Sequence, residues 1–328
     1  MEEPNMNIGI MAAGPIAAHM AITLNAMADA DAYAVASRTL DKAEKFAKEF
    51  NIPNAYGSYE ELAKDSQVDL IYLAMPHSHH FECAKLCIEN GKAVLCEKAF
   101  MANAKQAQEI VALAREKKVF LAEAIWTRYL PSRKIIDDII GSGKIGEITS
   151  LTANLGYDID EVPRIIKPEL AGGALLDVGV YPLTFASMVL GDDIVNITST
   201  CTKTDSGVDE QNVIILEYPG KVFATLHSGM LAATEQYGII YGTKGYIIAK
   251  TINNVDCIEV YSPERELLDS YGVPEQITGF EYEVRACAKA LKEGKLECEE
   301  APLNQSIHMM EVMDSLRKEW GIIFPFEK

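Results

Sequence analysis

The sequence has no Cys-x-x-Cys pair among its seven cysteines and no framework spacing. That excludes a disulfide-stapled fold and points to free thiols in a reducing, cytoplasmic setting. Basic residues are in short supply, with 30 Lys and Arg against 48 Asp and Glu and a net charge of -18. Nucleic acid and anionic membrane are therefore not the expected partners, since both need a basic face. One local basic pocket for a phosphorylated ligand stays open. The apolar run over residues 8–28 lacks a basic leader. It follows "MEEPN" and is interrupted by Gly14, Pro15 and His19, so it does not read as a signal peptide. No stretch is expected to combine transmembrane length with clean hydrophobicity. Internal repeats and low-complexity linkers are also missing.

What remains is an ordinary globular composition, 48% hydrophobic and 24% charged over 328 residues, enough for two domains. The first third alternates strand and helix. Strands are predicted at Met6–Met11, Ala32–Ser37, Val68–Met75, Lys92–Cys96 and Val119–Ala122. Helices are predicted at Pro15–Ala28, Thr39–Phe50, Ser78–Asn90 and Asn103–Lys117, with a short one opened by the Ser58–Glu61 capping box. Val68–Met75 is apolar nearly throughout, as in a parallel strand buried on both faces. This is an α/β Rossmann domain with a doubly wound parallel sheet, assigned to residues 1–126. Beyond it the order changes. After a helix at Ser132–Ile140 and a strand at Glu147–Tyr157 comes a long helix, Ala174–Leu190. A run of strands follows between Ile194 and Tyr261, then two helices, Gln276–Glu293 and Leu303–Trp320. Residues 127–328 therefore read as an α+β domain with an open, mostly antiparallel sheet.

"NIGIMAAGPIA" follows a strand and opens a helix, as a dinucleotide-binding loop must. Gly14 is the middle glycine, whose missing side chain lets a pyrophosphate approach. Ala17 takes the small third position. Pro15 and Ile16 begin a helix whose free N–H groups and dipole favour phosphate. Ala12 replaces the first glycine, which matters only if that turn needs positive φ. The other reading is a structural strand–turn–helix. At the end of the second strand, Ser37 stands where an NAD site carries an acid, and Arg38 follows, with Lys42 one turn on. No carboxylate there repels a 2′-phosphate, and Arg38 can pair with one. NADP is favoured, NAD remains possible, and a solvated surface arginine is the plain alternative.

Glu97 and Lys98 end a buried strand, at the edge where α/β sheets bind ligands. In "GGALLDVGVY", Asp177 and Tyr181 are four apart on one helix face. Gly172 and Gly173 before them imply that something approaches the backbone closely. Together with "AYGSYEELAKD", "GKAVLCEK", "EAIWTRYLP" and the "GTKG" turn, these segments resemble the Gfo/Idh/MocA oxidoreductase family over essentially the whole chain. The likeness is strongest to its dihydrodiol dehydrogenase subgroup.

The resemblance implies a tightly held nicotinamide cofactor, an active site between the domains and a homodimer built on the C-terminal sheet. It assigns Lys98, Asp177 and Tyr181 as catalytic. It adds Pro76, His77, His80, Glu97, Trp126 and Arg128 to the cofactor side and Arg38 to the 2′-phosphate. Trp126, Asp177 and Tyr181 would also meet substrate, with Arg164 of "VPRIIKP" a further candidate. The family's Glu-Lys-Pro is Glu-Lys-Ala here, which alters loop stiffness and removes no chemical group. The implied reaction is hydride transfer between nicotinamide C4 and a hydroxyl-bearing carbon of a sugar, polyol or trans-dihydrodiol. Tyr181 would move the hydroxyl proton. A tyrosine ordinarily titrates near 10, so the Lys98 ammonium would have to favour the phenolate. Two alternatives stand beside this. One is a zinc site in the His77–Cys87 segment, where His79, Cys83 and Cys87 recur every four residues. The other is an NAD(P)-binding sensor without turnover. No metal is expected on the favoured reading. "NVIILEY" is apolar on both faces, so that strand should be covered on both sides.

Overall fold

The computed structural model describes residues 5–328. The described residues pack as two compact units, residues 5–125 with 276–310, and residues 126–275 with 311–328.

The first unit is built on a six-stranded parallel sheet. In chain order its elements are β1 (Met6–Met11), α1 (Pro15–Ala26), β2 (Ala30–Ala36), α2 (Leu40–Glu49), β3 (Asn54–Tyr56) and α3 (Tyr59–Lys64). Then come β4 (Leu70–Leu73), α4 (His80–Glu89), β5 (Ala93–Glu97), α5 (Ala104–Lys117) and β6 (Leu121–Ala124). The strand order β3-β2-β1-β4-β5-β6 reverses direction between β1 and β4, the switch point where such sheets bind dinucleotides. β4, β5 and β6 are buried at every position. Helix starts follow local chemistry: Ser58 Oγ accepts the Glu61 N–H and Asn103 Oδ1 accepts the Gln106 N–H.

The second unit carries α6 (Pro131–Gly141), β7 (Ile148–Gly156), the short α7 (Pro163–Ile166), a π-helical turn over Leu175–Gly179 and α8 (Val180–Leu190). Seven strands follow: β8 (Asn196–Lys203), β9 (Asp209–Tyr218), β10 (Val222–Gly229), β11 (Gly238–Gly242), β12 (Gly245–Lys250), β13 (Cys257–Tyr261) and β14 (Leu267–Gly272). The sheet order is β14-β13-β12-β11-β7-β10-β9-β8. β7 and β10 are parallel and every other neighbouring pair is antiparallel. The π-helical turn and α8 pack on one face of this sheet, contacting β7 and β10.

Two sequence expectations change. The domain 127–328 is not continuous, because α9 (Phe280–Lys292) and the start of α10 (Leu303–Glu319) belong to the first unit. Thr278 Oγ1 meets Thr23 Oγ1 of α1 at 2.6 Å, Arg285 pairs with Asp29, and the Leu296 carbonyl accepts the Leu121 N–H. Next, Pro168–Leu190 is apolar and long enough to span a membrane, but most of it is buried inside the fold. Within this single chain β9 presents Asn212, Ile214 and Leu216 inward and Val213 and Ile215 on its other, exposed face.

Candidate active site

At the carboxyl end of β1, Ala12 adopts φ +94° and donates its N–H to the Ala36 carbonyl at 3.0 Å. The turn therefore does adopt the left-handed conformation, the condition under which the missing first glycine matters. The fingerprint glycine's geometry is kept with a Cβ in place. Gly14 is the N-cap of α1, and no side chain caps the helix. A Cβ added to Gly14 would meet no atom within 4 Å. The space beside the helix N-terminus at Gly14 is open. Pro15 stands at the first helical position, Ile16 beside it is partly exposed and Ala17 is buried. An open cradle over an uncapped helix N-terminus suits a pyrophosphate.

At the end of β2, Ser37 is buried and its N–H is held by the Tyr56 carbonyl at 3.1 Å. Arg38 and Lys42 are exposed. The Arg38 charge is felt by Tyr59 and by His79, whose basicity burial lowers first and Arg38 second. Arg38 is thus the cation at this end of the loop, with His79 and Tyr59 beside it.

Beyond β4, Pro76 caps a single turn over His77–His79. His77 is buried and edge-on to His80, ring centroids 5.7 Å apart. His80 is fully buried. Its Nδ1 faces the carbonyls of Ala99 and Phe100 at 3.0 and 3.1 Å, and its Nε2 faces that of Met75 at 2.8 Å. Burial pulls its pKa down, against those three carbonyls. His80 thus links the β4 loop to the segment after Lys98. The Lys98–Ala99 peptide bond is cis. Glu97 is buried, accepting the Tyr72 hydroxyl and the Lys98 N–H. Behind it lies Glu283 of α9, fully buried with neither carboxyl oxygen hydrogen-bonded among the described residues. Burial, then the Glu97 charge, pushes Glu283 far above the usual carboxylate range.

The zinc alternative finds no clamp. His79 lies outside α4, with Nδ1 on Ser78 Oγ at 2.9 Å, while Cys83 and Cys87 are buried. Burial pushes the Cys83 thiol up to about 12 and Cys87 higher still. Among the described residues no three His, Cys, Asp or Glu side chains are grouped to hold a metal.

In the second unit, Trp126–Arg128 forms one helical turn, with Trp126 partly exposed. Arg128 is buried and donates to Ser187 Oγ at 2.9 Å, which donates to Asp192 Oδ1 at 2.5 Å. Part of that guanidinium is therefore structural. Arg164 Nη1 donates to Asp177 Oδ1 at 2.6 Å, bringing two of the expected substrate residues together. Tyr157, which the sequence reading missed, is close enough to Asp177 to feel its charge. It accepts a hydrogen bond from Asn253 Nδ2 at 3.0 Å. Tyr181 is 9% exposed at the start of α8. The close approach implied by Gly172 and Gly173 is intramolecular. A Cβ on Gly172 would strike the Ile165 carbonyl, and one on Gly173 (φ +118°) would strike Asp209 Oδ1.

Comparison with known proteins supplies the deciding observation. Residues 6–124 match the model described as "Oxidoreductase family, NAD-binding Rossmann fold", and residues 134–248 match the "GFO/IDH/MocA C-terminal domain". The chain belongs to the Gfo/Idh/MocA oxidoreductase family. It is 36% identical to a trans-1,2-dihydrobenzene-1,2-diol dehydrogenase of Xenopus tropicalis, over 97% of this chain and 98% of the relative. Against the human enzyme of that name it is 34% identical over 98% of both chains. A solved 3-ketoreductase from Actinomadura kijaniata, in complex with NADP and TDP-benzene, superposes with a TM-score of 0.87. It is 25% identical, over 96% of this chain and 98% of that one. As a Gfo/Idh/MocA member, the chain is an NAD(P)-dependent oxidoreductase, and the open cradle at Gly14 fits a dinucleotide.

Proposed function

We propose that this chain is an NADP-preferring dehydrogenase of neutral diols, sugars or polyols, with trans-dihydrodiols its leading substrate class. The observation that carries the cofactor preference is exposed Arg38 after β2, where no carboxylate stands. The relatives named dihydrobenzenediol dehydrogenases support the substrate class.

When bound, the nicotinamide ring supplies the hydride acceptor. In this reading Ala12, Gly14, Pro15 and Ile16 hold the pyrophosphate and Arg38 with Lys42 takes the 2′-phosphate. Pro76, His77, Glu97, Trp126 and Arg128 line the cofactor, and His80 acts by fixing the Lys98–Ala99 segment. Tyr181 accepts the substrate hydroxyl proton, and the Lys98 ammonium favours the phenolate. Asp177, oriented by Arg164, accepts a second substrate hydroxyl, an arrangement suited to vicinal diols. Seven free thiols fit a reducing cytoplasm. The exposed apolar face of β9 and β10 fits a homodimer interface.

The test is a panel of sugars, polyols and trans-diols assayed with NADP and NAD in parallel. Turnover with a trans-diol and a lower KM for NADP are expected. Cofactor binding without turnover across the panel would favour the sensor instead. Tyr181→Phe and Lys98→Met should each lower kcat by roughly 10²–10⁴-fold with little change in NADPH affinity. Near-normal turnover in either variant removes its assigned role.

A further inference from the structure

Beneath the Gly-Gly segment lies a polar chain that this mechanism does not use. Asp209, at the start of β9, is 2% exposed. Its Oδ2 accepts the Leu175 N–H at 2.7 Å and the Asn212 amide at 2.9 Å. The Ser228 hydroxyl of β10 donates to Asn212 Oδ1 at 2.9 Å. Leu175 opens the π-helical turn that carries Asp177 and leads into Tyr181. The first amides of any helical segment lack intrahelical acceptors, and in a buried segment they must find others.

Two glycines record how closely the turn lies on this chain. Gly173 leaves no room for a Cβ beside Asp209, and a Cβ on Gly179 would stand 2.8 Å from Ser228 Oγ. The carboxylate therefore meets the start of the turn and the Ser228 hydroxyl meets its end. A buried charge is costly, and a neutral side chain could accept the same N–H. A carboxylate holds it more tightly, because its hydrogen bonds are charge-assisted.

We propose that Asp209 is a positioning residue for the reaction, fixing through the Leu175 N–H the turn that presents Asp177 and Tyr181. The inference rests on the roles given to those two residues above. Besides Asn212 and Leu175, the groups facing Asp209 are Arg317 of α10, whose charge favours the carboxylate, and Cys201 of β8. Lys203 is its register partner on β8. Burial pushes Asp209 up to about 6 from an ordinary 3.8, against the pull of Asn212 and Leu175. The sign follows from proton counting. Between those values the folded chain holds a proton that the unfolded chain has released, so this group's contribution to stability grows as pH falls through that window. Over the same window the hydrogen bonds to Leu175 and Asn212 lose their charge assistance. Turnover should fall on acidification with no loss of fold from this group, which separates the effect from acid unfolding.

The experiment measures kcat with the best substrate from the panel, NADPH binding by fluorescence, and thermal midpoint, from pH 5 to 8. The proteins are wild type, Asp209→Asn, Asn212→Ala, Asp177→Asn and Tyr181→Phe. Wild-type turnover should drop below about pH 6, Asp209's own titration range, while the midpoint holds. Asp209→Asn should abolish that acid limb and lower kcat roughly ten- to hundred-fold, the scale of a small misplacement, with NADPH affinity within about twofold. Asn212→Ala, the milder variant should Asp209→Asn fail to fold, should move the limb to higher pH. Asp209→Asn with wild-type kcat and limb, or Asn212→Ala with an unmoved limb, overturns the inference while Asp177→Asn and Tyr181→Phe lose turnover. If those two variants keep turnover, the reading of the site falls and this inference with it.

Discussion

Ala12 shows how a single side chain can hide a conformation. Its φ of +94° costs an L-residue about 1–2 kcal/mol. Ala12→Gly should therefore stabilise the protein by roughly 1 kcal/mol and raise its thermal midpoint by about 2–4 °C. A midpoint that stays put or falls would show that the turn is unstrained. The sequence could not reveal this, because alanine argues for ordinary backbone. Gly172 and Gly173 were legible as a close approach, yet what approaches was not. Nothing in "VDEQN" marks Asp209 as buried, and its burial depends on strand pairing far along the chain. Glu283 was equally hidden, one acid among 48 Asp and Glu. Its raised pKa means the folded chain keeps a proton that the unfolded chain releases, so stability is lost as pH rises above the ordinary 4.5. Glu283→Gln should raise the midpoint at pH 7–8 and flatten its fall with rising pH. An unchanged slope would place the lost stability elsewhere.

At the scale of elements, the strands that lead to Ala12 and Ser37 and the one that ends at Glu97 announce themselves, because strands of a parallel sheet buried on both faces are largely apolar. β3 is three residues long, and β14 is an exposed edge strand with little buried pattern, so neither stood out. α9 was visible as a helix but not as part of the first unit, because reading in chain order assumes contiguous domains. Its entry is fixed by Glu281, 2% exposed, whose carboxylate accepts the N–H groups of Ile277, Thr278 and Gly279 at 2.8, 3.1 and 2.8 Å. Glu281→Ala leaves those amides without their acceptor. It should cost roughly 2–3 kcal/mol, the scale of hydrogen bonds to a charged group. Limited proteolysis should then cut near residue 277 faster than in wild type. An unaltered cleavage pattern would mean the helix entry is held by packing alone.

For the whole molecule, the acidic surface keeps copies apart unless an apolar face draws them together. Val213, Ile215 and Phe223, between 38 and 43% exposed, share the face of β9 and β10 turned away from α8. If that face is the dimer interface, wild type sediments as a dimer and the double variant Ile215→Glu with Phe223→Glu sediments as a monomer. A monomeric wild type would remove the face from consideration.

The split composition of the first unit bears on how the chain is made. Its sheet is complete by residue 125, yet α9 and the start of α10 come only after residue 276. At synthesis rates of about 5–20 residues per second, the intervening segment of about 150 residues takes roughly 8–30 seconds to emerge. For that interval the nascent sheet stands without its last helical cover, and Glu281 has not yet been synthesised. A ribosome stalled before residue 276 would expose apolar surface to chaperones, and one stalled late enough for residue 310 to have cleared the exit tunnel would not.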